Sequence, residues 1–427
     1  MKVVIVGGGF AGMNLAKSLS GKQGIHVVIV DKNNYHFFPP LIYQVATAFI
    51  EPSNISYPFR KMFQDSDNIR FVNGKLLRVN TEQNILETDS CDISYDVLVI
   101  ATGTETNYFG MDQVREHALP MKTIDDALNL RNQLLLNLEH ATRTRDAEEL
   151  QRLTTVVIAG GGPTGVEIAG MMAEMNRHIV SKDYPELNRN MGGIYLIDAA
   201  PVLLGPMSVK AQQEALKTLQ SLGVKIMLNV AVKGYENETV VLSDGTSIKT
   251  ANLIWASGVI ASAAPGLPEN ATTRGRRIIV DAYNKVVDTK NVYAIGDVCF
   301  QSADPAYPNG HPQLAQVAIQ QGKNLALNLA RMLSGRTDLK AFRYKNKGSM
   351  AIISKFKAVV DLPRGFFKGF FAWLTWLFIH IIPIAGFRNK VKLALNWFWS
   401  FITNDPTLRL IIRPNKDLAG RHEKEID

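Results

Sequence analysis

Residues 156–170 read "VVIAGGGPTGVEIAG", and a close copy, "VVIVGGGFAGMNLAK", occupies residues 3–17. Each stretch begins with an apolar run short enough for a buried parallel strand, passes through a glycine turn and enters a run typical of a packed helix. The glycines permit the tight turn, the approach of a pyrophosphate and the packing of helix on strand. The sequence therefore predicts two dinucleotide-binding domains, with G-x-G-x-x-G glycines at Gly7, Gly9 and Gly12 and at Gly160, Gly162 and Gly165.

An acidic residue ends the strand that follows each turn. Asp31 closes "HVVIVD", 19 residues after Gly12, and Asp198 closes the strand in "IYLIDAA", 33 residues after Gly165. A carboxylate at this place binds a ribose hydroxyl, although an acid is also an ordinary residue for a strand end. The longer second spacing contains "NRHIVSKDYPELNRN", which indicates a helix extension or an inserted loop. Since no Arg or Lys follows Asp198 directly, we expect NADH rather than NADPH.

Two dinucleotide sites in one chain suggest a relay. A resident flavin accepts a hydride and holds the electrons until an acceptor arrives, whereas two nicotinamide sites would offer no such step. We therefore expect a flavin at the first turn and a nicotinamide at the second.

The composition of the chain argues against several kinds of site and partner. Of 427 residues, 46% are hydrophobic, and the two cysteines, Cys91 and Cys299, are far apart with no CxxC motif. We expect no disulfide, no redox dithiol and no metal site. The chain enters a strand at its N-terminus, which leaves no room for a signal peptide and favours the cytoplasm. We expect no nucleic acid partner.

The net charge of +8 is concentrated near the C-terminus. Residues 345–392 contain nine basic residues and one acid, and four of the five tryptophans lie beyond residue 345. The apolar stretch Gly369–Ile382 rises about 21 Å as a helix, less than the roughly 30 Å of a bilayer core. Residues 388–404 carry one narrow polar stripe on an otherwise apolar helix. This pattern favours two interfacial helices that lie on a membrane without spanning it, with core helices or a dimer contact as alternatives.

Further motifs resemble known families. "YDVLVIATGT" (95–104) and "NVYAIGDVC" (291–299) resemble motifs of glutathione-reductase-like flavoproteins, which have two dinucleotide-binding domains. "NYHFFPPLIYQVAT", "AQVAIQQG", "GSMAIISKFKAVVDL" and "GFRNK" resemble the type II NADH:quinone oxidoreductases, single-subunit respiratory enzymes that do not pump protons. The resemblance runs from residue 1 to about residue 403. The glutamine motif and the basic, aromatic tail are its more specific parts.

The resemblance implies an α/β fold with two Rossmann-like domains and a C-terminal membrane-associating helical region. We predict an FAD-binding domain in two parts, 1–115 and 289–344, around an NADH-binding domain at 116–288, with residues 345–427 as the membrane anchor. Candidate FAD ligands are Gly7, Gly9, Phe10, Ala11, Gly12, Asp31, Lys32, Ala101, Thr102, Gly103, Gly296, Asp297, Ala315 and Gln316. Candidate NADH ligands are Gly160, Gly162, Pro163, Thr164, Gly165, Glu167, Asp198 and Gly258.

Three residues are candidates for the chemistry. Gln316 and Gln320 stand at i and i+4, on one helix face, and the resemblance implies contacts with the quinone and the flavin edge, whereas Gln321 points elsewhere. Glu167 begins the second glycine helix, where the dipole favours its charged form, and is expected to help proton movement near the nicotinamide. The alternatives are a solvated polar face for the glutamines and a helix-capping acid for Glu167.

The expected activity is oxidation of NADH through FAD with transfer of two electrons to menaquinone or ubiquinone. The resemblance further implies a homodimer on the cytoplasmic face of the inner membrane. Two rivals remain. A sulfide:quinone oxidoreductase has this fold but uses a pair of redox cysteines, and a redox-sensing flavoprotein would bind NADH without fast turnover.

Overall fold

Two five-stranded parallel sheets carry the two glycine turns in this computed structural model, which describes residues 1–187, 191–403 and 409–412. The first sheet has the order Val292–Ala294, Val97–Ile100, Lys2–Val6, His26–Asp31 and Ile69–Asn73. The second has the order Leu119–Pro120, Asn252–Trp255, Val156–Ala159, Ile194–Asp198 and Lys225–Leu228. In both, the strand before the glycine turn lies in the centre and the strand that ends in the acid lies beside it. This is the doubly wound arrangement that the sequence predicts.

A helix follows each glycine turn: the first glycine helix, Phe10–Leu19, and the second glycine helix, Pro163–Met175. Gly7 and Gly160 have φ angles of +101° and +113°, a region that favours glycine. A Cβ on Gly12 would overlap the carbonyl oxygen of Gly7. The same overlap would arise between Gly165 and the carbonyl of Gly160, so each helix can begin close to its turn only with glycine at this position.

Smaller antiparallel sheets surround the two domains. Three have three strands: Leu76–Asn80, Ile85–Thr88 and Asp92–Ser94; Val232–Glu236, Thr239–Leu242 and Ser247–Lys249; and Ser349–Ser354, Lys357–Leu362 and Gly365–Gly369. The last of these is called the tail sheet below. Two-stranded pairs join Tyr35–Phe37 with Ser56–Pro58, Thr104–Thr106 with Val259–Ala261, and Ile278–Val280 with Cys299–Gln301 in parallel.

The other helices connect and cover the sheets. The glutamine helix, Ala315–Leu333, packs on the first glycine helix so closely that a Cβ on Gly322 would overlap the carbonyl of Ala11. The second glycine helix continues into a π-helical turn, Asn176–Val180, and Ser181–Asp183, so the long insert begins as a helix extension. The remaining α-helices are Ile42–Ala46, Pro52–Ile55, Phe59–Met62, Asp112–His117, Ile124–Ala141, Ala147–Thr154, Val209–Ser221, Phe370–Ile381 and Phe387–Thr403.

Two short elements lie near the predicted domain boundaries at residues 115/116 and 288/289. The helix Asp112–His117 buries Val114 among residues of the second parallel sheet. The strand Ile278–Val280 pairs with Cys299–Gln301. The sequence motifs lie well inside each domain and do not mark its boundaries.

The predicted anchor region consists of two different parts. The tail sheet packs on the second glycine helix, and only after it come the two tail helices, Phe370–Ile381 and Phe387–Thr403. One side of the tail helices is part of the core of the second domain, through Trp373, Trp376, Leu393 and Trp397. In the described residues, no helix combines the length and the apolar character that crossing a bilayer requires. The end of the predicted polar stripe, Asn404, lies outside the described residues.

Gly170 tests the contact between the second glycine helix and the tail sheet. A Cβ there would overlap the carbonyl oxygen of Ile353. We expect Gly170→Ala to destabilise the protein by about 1–3 kcal/mol, as overpacking does, seen as a lower thermal unfolding midpoint. Gly205→Ala is the matched control because a Cβ there meets nothing within 4 Å. Equal midpoints for the two variants would contradict the close contact.

Candidate functional site

The first glycine turn has the geometry of a pyrophosphate site. No side chain caps the first glycine helix, and a Cβ at Gly9 would meet no atom within 4 Å, so the helix N-terminus is open to a ligand. Free backbone N–H groups and the helix dipole favour an anion there. Asp31 accepts hydrogen bonds from the backbone N–H groups of Gly8, at 2.6 Å, and Asn33, at 2.8 Å. Burial raises the pKa of Asp31.

Residues that come much later in the sequence form the other side of this site. Gly296 has a φ of +78° and donates its N–H to the Oε1 atom of Gln321 at 2.7 Å. Burial raises the pKa of Asp297, an effect opposed by the charges of Lys122 and Arg277. Burial lowers the pKa of Lys122, whose ammonium donates to the Thr104 hydroxyl at 2.6 Å.

The buried polar atoms fit a flavin nucleotide. The Thr102 hydroxyl, next to the first glycine turn, is buried without a hydrogen-bond partner in the described part of the chain. The Nδ1 atom of His36 lies 2.9 Å from the Gly8 carbonyl, and its buried Nε2 is likewise unpartnered among those residues. Burial lowers the pKa of His36 to about 4, so the ring is neutral at pH 7. A bound dinucleotide would supply hydrogen-bond partners for the open N–H donors at the turn and for the unpartnered side chains beside it.

Sequence reasoning missed four residues of this site: His36, Lys122, Arg277 and Gln321. His36 lies in the quoted stretch "NYHFFPP", so its motif was visible but its contact with the glycine turn was not. Lys122 and Arg277 belong to no motif. Gln321 was expected to point away from the face of Gln316 and Gln320, and its side chain accepts the Gly296 N–H instead. It is fully buried and fixes the Gly296–Asp297 turn.

The second glycine turn repeats the geometry of the first. Asp198 accepts hydrogen bonds from the backbone N–H groups of Gly161 and Ala200, as Asp31 does at the first turn. Pro163 occupies the start of the second glycine helix, which again has no side-chain cap. Gly258, with a φ of +138°, borders the Phe109 ring. The NADH ligands predicted at the second glycine turn therefore lie next to one another. The Asp198 carboxylate lies beside them, at the end of its strand.

Glu167 lies in a different environment from the one expected. Its side chain is buried, and burial raises its pKa well above the usual range, although a backbone hydrogen bond with Ile352 opposes the shift. The helix dipole, worth at most about 2 kcal/mol, favours the charged form, whereas burial favours the protonated form. Burial, and after it the charge of Glu167, raises the pKa of Tyr43 on the helix Ile42–Ala46.

Gln316 and Gln320 share a helix face, and that face contacts the start of the predicted anchor region. The Gln316 carboxamide donates to the carbonyl of Gly348 at 2.9 Å and accepts from the N–H of Lys347 at 3.3 Å. Gln320 donates to the carbonyl of Lys345 at 3.0 Å and accepts from its N–H at 3.1 Å. Both side chains therefore hold residues 345–348 on the glutamine helix, and their contact with quinone stays a prediction.

The cysteines and lone histidines have structural surroundings. Cys299 is buried, its thiol pKa is raised by burial to about 12, and it lies near Gln321 and Asn284. Cys91 is exposed. His311 pairs with Asp304 at 3.0 Å, and His380 stacks on Trp376 with ring centroids 3.8 Å apart. A buried neutral thiol without a second cysteine is unsuited to disulfide chemistry.

A groove leads from the first domain to the tail. It has a volume of about 360 Å³ and runs between the two helices that frame the flavin site and the turn joining the tail helices. Its lining residues include Phe10, Met13, Ile319, Ile382, Pro383 and Phe387. Lys17 and Lys390 add positive charge, and burial followed by the charge of Lys390 lowers the pKa of Lys17. Ile319 lies on the same helix as Gln316 and Gln320, whose own side chains turn to residues 345–348.

The fold and the two turns define a class of flavoprotein reductases. Residues 1–322 match the family profile of pyridine nucleotide-disulphide oxidoreductases. The chain is also similar over its whole length to the NDH2 structure from Plasmodium falciparum in complex with NADH, with a TM-score of 0.87, 21% identity, and coverage of 96% of this chain and 99% of that one. The sulfide:quinone oxidoreductase of Aquifex aeolicus has a TM-score of 0.70 at 18% identity, covering 100% and 95% of the two chains.

Sequence relatives narrow the class further. The type II NADH:quinone oxidoreductase Ndh of Mycobacterium tuberculosis is 35% identical, covering 94% of this chain and 88% of the relative. The NdhA protein of the same organism is 34% identical, with coverage of 94% and 87%. The chain belongs to the type II NADH:quinone oxidoreductase family. The predicted fold class, the cofactor FAD, the substrate NADH and the quinone-reducing activity are thereby confirmed.

Asp198 tests the assignment of the second turn. We expect Asp198→Asn to raise kcat/KM for NADPH relative to NADH by about tenfold, since the repulsion of a 2′-phosphate is removed, a change of about 1.4 kcal/mol. The amide oxygen can still accept a backbone hydrogen bond, so the turn should persist. Asp244→Asn, an exposed acid of the same domain, is the control for charge alone. An unchanged cofactor ratio in Asp198→Asn would remove Asp198 from the ribose site.

Proposed function

We propose that the first glycine turn binds FAD and that the second presents NADH to it, so that a membrane quinone receives the electrons. When bound, FAD accepts the hydride of NADH and passes two electrons to the quinone. The observation that carries the proposal is the repeated geometry of the two glycine turns. Each glycine helix begins without a side-chain cap, and the acid of the neighbouring strand accepts the N–H of the middle glycine.

The chain's own residues bind and orient the two nucleotides. The open N-termini of the two glycine helices receive the pyrophosphates, while Asp31 and Asp198 hold the ribose hydroxyls. Asp297 and Lys122, whose charges act on each other, and the unpartnered Thr102 hydroxyl offer polar contacts to the flavin. We propose the residues predicted from the sequence as the ligands, with His36, Lys122 and Gln321 added.

Glu167 supplies the proton that the overall reaction requires. Oxidation of NADH to NAD⁺ releases a hydride, and reduction of a quinone to a quinol consumes two electrons and two protons, so one proton must come from the medium. Burial raises the pKa of Glu167 and so favours the protonated form of its carboxyl. It can give that proton up at its carboxyl oxygen and recover it from water.

We propose that quinone enters through the groove between the glutamine helix and the tail. The groove combines apolar side chains suited to an isoprenoid tail with polar and basic ones, and Ile319 of its lining belongs to the helix that carries Gln316 and Gln320. The carboxamides offer neutral donors that bind a quinone carbonyl without burying a charge. Either menaquinone or ubiquinone meets these requirements.

The outer face of the tail helices supports docking on a membrane. Phe371, Phe378 and Phe387 are 76%, 71% and 82% exposed, and Phe398 and Trp399 lie on the same outer side at more than 60%. Arg388 and Lys392 flank this apolar face and would attract anionic lipid. We place the protein as a peripheral, monotopic enzyme on the cytoplasmic face of the inner membrane. A second copy of the chain is proposed to cover part of the same face, as a homodimer.

Half-reactions test the proposed flavin and quinone sites. The absorbance of the oxidised flavin should fall when NADH is added and recover when quinone is added. Stopped-flow spectroscopy measures the rate of each step. We expect Gln316→Ala and Gln320→Ala to slow recovery about tenfold, equivalent to one lost hydrogen bond of about 1.4 kcal/mol, with little effect on bleaching.

Asn324→Ala provides the matched control for that experiment. Asn324 donates to the carbonyl of Lys340 at 3.0 Å from the next turn of the glutamine helix, so it removes a similar bond away from the groove. If all three variants slow recovery equally, or if bleaching slows as much, the two glutamines do not contact quinone.

Surface substitutions test the membrane face more sharply than truncation, because deletion from residue 345 would also remove the tail sheet and part of the core. Phe378→Glu and Phe398→Glu should each weaken binding to anionic phospholipid vesicles at least about tenfold, since a large apolar side chain contributes roughly 1.5–3 kcal/mol when buried. Leu77→Glu, at a 50% exposed position in the first domain, is the control. Vesicle flotation measures the bound fraction. Undiminished binding of both tail variants would place the membrane contact elsewhere.

A further inference from the structure

An exposed aromatic ring borders the second glycine turn. Phe109 is 61% exposed although its side chain is large and apolar, and a Cβ on Gly258 would lie 3.4 Å from its ring. Two residues before Gly258, the carbonyl of Ala256 lies so close to Gly160 that a Cβ there would overlap it. The Phe109 ring therefore lies at the edge of the second sheet that carries the glycine turn.

The backbone of Phe109 has a conformation that aromatic residues rarely adopt. The Met111 N–H donates to the Tyr108 carbonyl at 2.9 Å and closes a turn. The two central residues of this turn, Phe109 and Gly110, have φ angles of +52° and +78°, which favour Asn or Gly. The Asn107 side chain accepts the Phe109 N–H at 2.9 Å and holds this conformation. Since the ring is mostly exposed, its own packing does not account for the strain, and strain of this kind marks functional positions.

Three contacts hold this turn on the strand that ends at Trp255. The Asn107 N–H donates to the carbonyl of Gly258 at 3.1 Å, and the Trp255 indole N–H donates to the Asn107 carbonyl at 2.8 Å. The Tyr108 ring stacks on Trp255 with ring centroids 6.1 Å apart. The position of the neighbouring Phe109 is thus set by the protein itself, which lowers the ordering cost of binding a ligand there.

The strand order indicates which half of NADH would reach this ring. The strand Val156–Ala159, which leads into the glycine turn, lies between Ile194–Asp198 and Asn252–Trp255. With the pyrophosphate at the glycine turn and the adenosine ribose at Asp198, the nicotinamide half extends over the opposite neighbour, Asn252–Trp255. Phe109 lies on that side.

The flavin site lies in the same direction along the chain. Phe109 follows the strand Thr104–Thr106, which pairs with Val259–Ala261 directly after Gly258. Shortly before that strand comes Thr102, whose buried, unpartnered hydroxyl belongs to the proposed flavin site. Because the nicotinamide ring must reach the flavin to react, its half of the nucleotide has to pass this junction between the domains.

We infer that Phe109 is a binding residue for the nicotinamide half of NADH, and that its ring covers the nucleoside beside Gly258 and excludes water from that side. The inference rests on the proposed function. A ligand that buries an exposed aromatic ring gains apolar contact, and ring stacking adds to it. The residues that suit a positive φ carry no such ring, so the protein keeps a strained Phe at this position.

Phe109→Asn tests the inference because binding and stability should respond differently. Asn tolerates a positive φ, so the thermal unfolding midpoint should not fall. Loss of the ring should raise the apparent Kd of NADH about tenfold in full-length holoenzyme, read from the NADH dependence of flavin reduction in stopped flow. Phe109→Tyr keeps the ring and should stay within about twofold of the wild type.

Val241→Asn is the matched control. Val241 is 44% exposed on a strand of the second domain whose neighbouring residues, Val240 and Leu242, are buried, so this change also replaces an exposed apolar side chain by Asn. Its Kd for NADH should equal that of the wild type. An unchanged Kd in Phe109→Asn, a lower unfolding midpoint in that variant, or an equal loss in Phe109→Tyr would each overturn the inference.

ADP identifies the half of the nucleotide that the ring contacts. It keeps the adenosine and the pyrophosphate but lacks the nicotinamide nucleoside, and it competes with NADH. Its inhibition constant should be the same for Phe109→Asn and the wild type. Equal weakening of NADH and ADP would show that the ring acts on the turn or on the adenosine half, and would overturn the inference.

Gly162→Val distinguishes this inference from the proposed function. A Cβ on Gly162 meets nothing within 4 Å, so the fold has room for the new side chain, which would occupy the proposed pyrophosphate position. Weaker binding of both NADH and ADP to this variant confirms the site, and the Phe109→Asn result then decides the inference alone. Undiminished binding of both would contradict the proposed NADH site itself, and with it the inference.

Discussion

The contact between each glycine helix and its own turn is the constraint on which the rest of the structure depends. Gly12 lies against the Gly7 carbonyl and Gly165 against the Gly160 carbonyl, with no room for a Cβ in either place. This contact aims the helix N-terminus at the end of the central strand and sets the middle glycine N–H beside the neighbouring acid. The nucleotide sites proposed for this chain are built around these two glycine contacts.

Burial decides the chemistry at the junction of the two domains. Glu167 stands in the first turns of a helix, where the dipole favours a carboxylate, yet its surroundings favour the protonated acid. The tail sheet packs closely on the helix of Glu167 at Gly170, although its Ile352 backbone hydrogen bond favours the carboxylate. A region that looks like an appendage in the sequence thus covers the helix that carries this acid.

Sequence patterns predicted the two nucleotide turns well because each depends on local chemistry: glycine spacing, strand length and an acid at a strand end. They did not reveal the burial of Glu167 or the contact of Gln321 with the Gly296 turn, because burial depends on which helix face meets which neighbour. Gln316 and Gln320 share a face as their spacing predicts, but the partner of that face comes from residues 345–348, and periodicity contains no information about that pairing. Lys122 lies beside Asp297 only through the path of the chain between domains.

The tail helices also constrain the order in which the molecule can be made. Trp376, Leu393 and Trp397 belong to the same buried cluster as Val166 and Ile168 of the second glycine helix. Since synthesis proceeds from the N-terminus and domains fold as units, this cluster cannot close until nearly the whole chain has left the ribosome. The apolar outer face is folded in the same final step, so the enzyme acquires this exposed apolar surface only as the core of its second domain is completed.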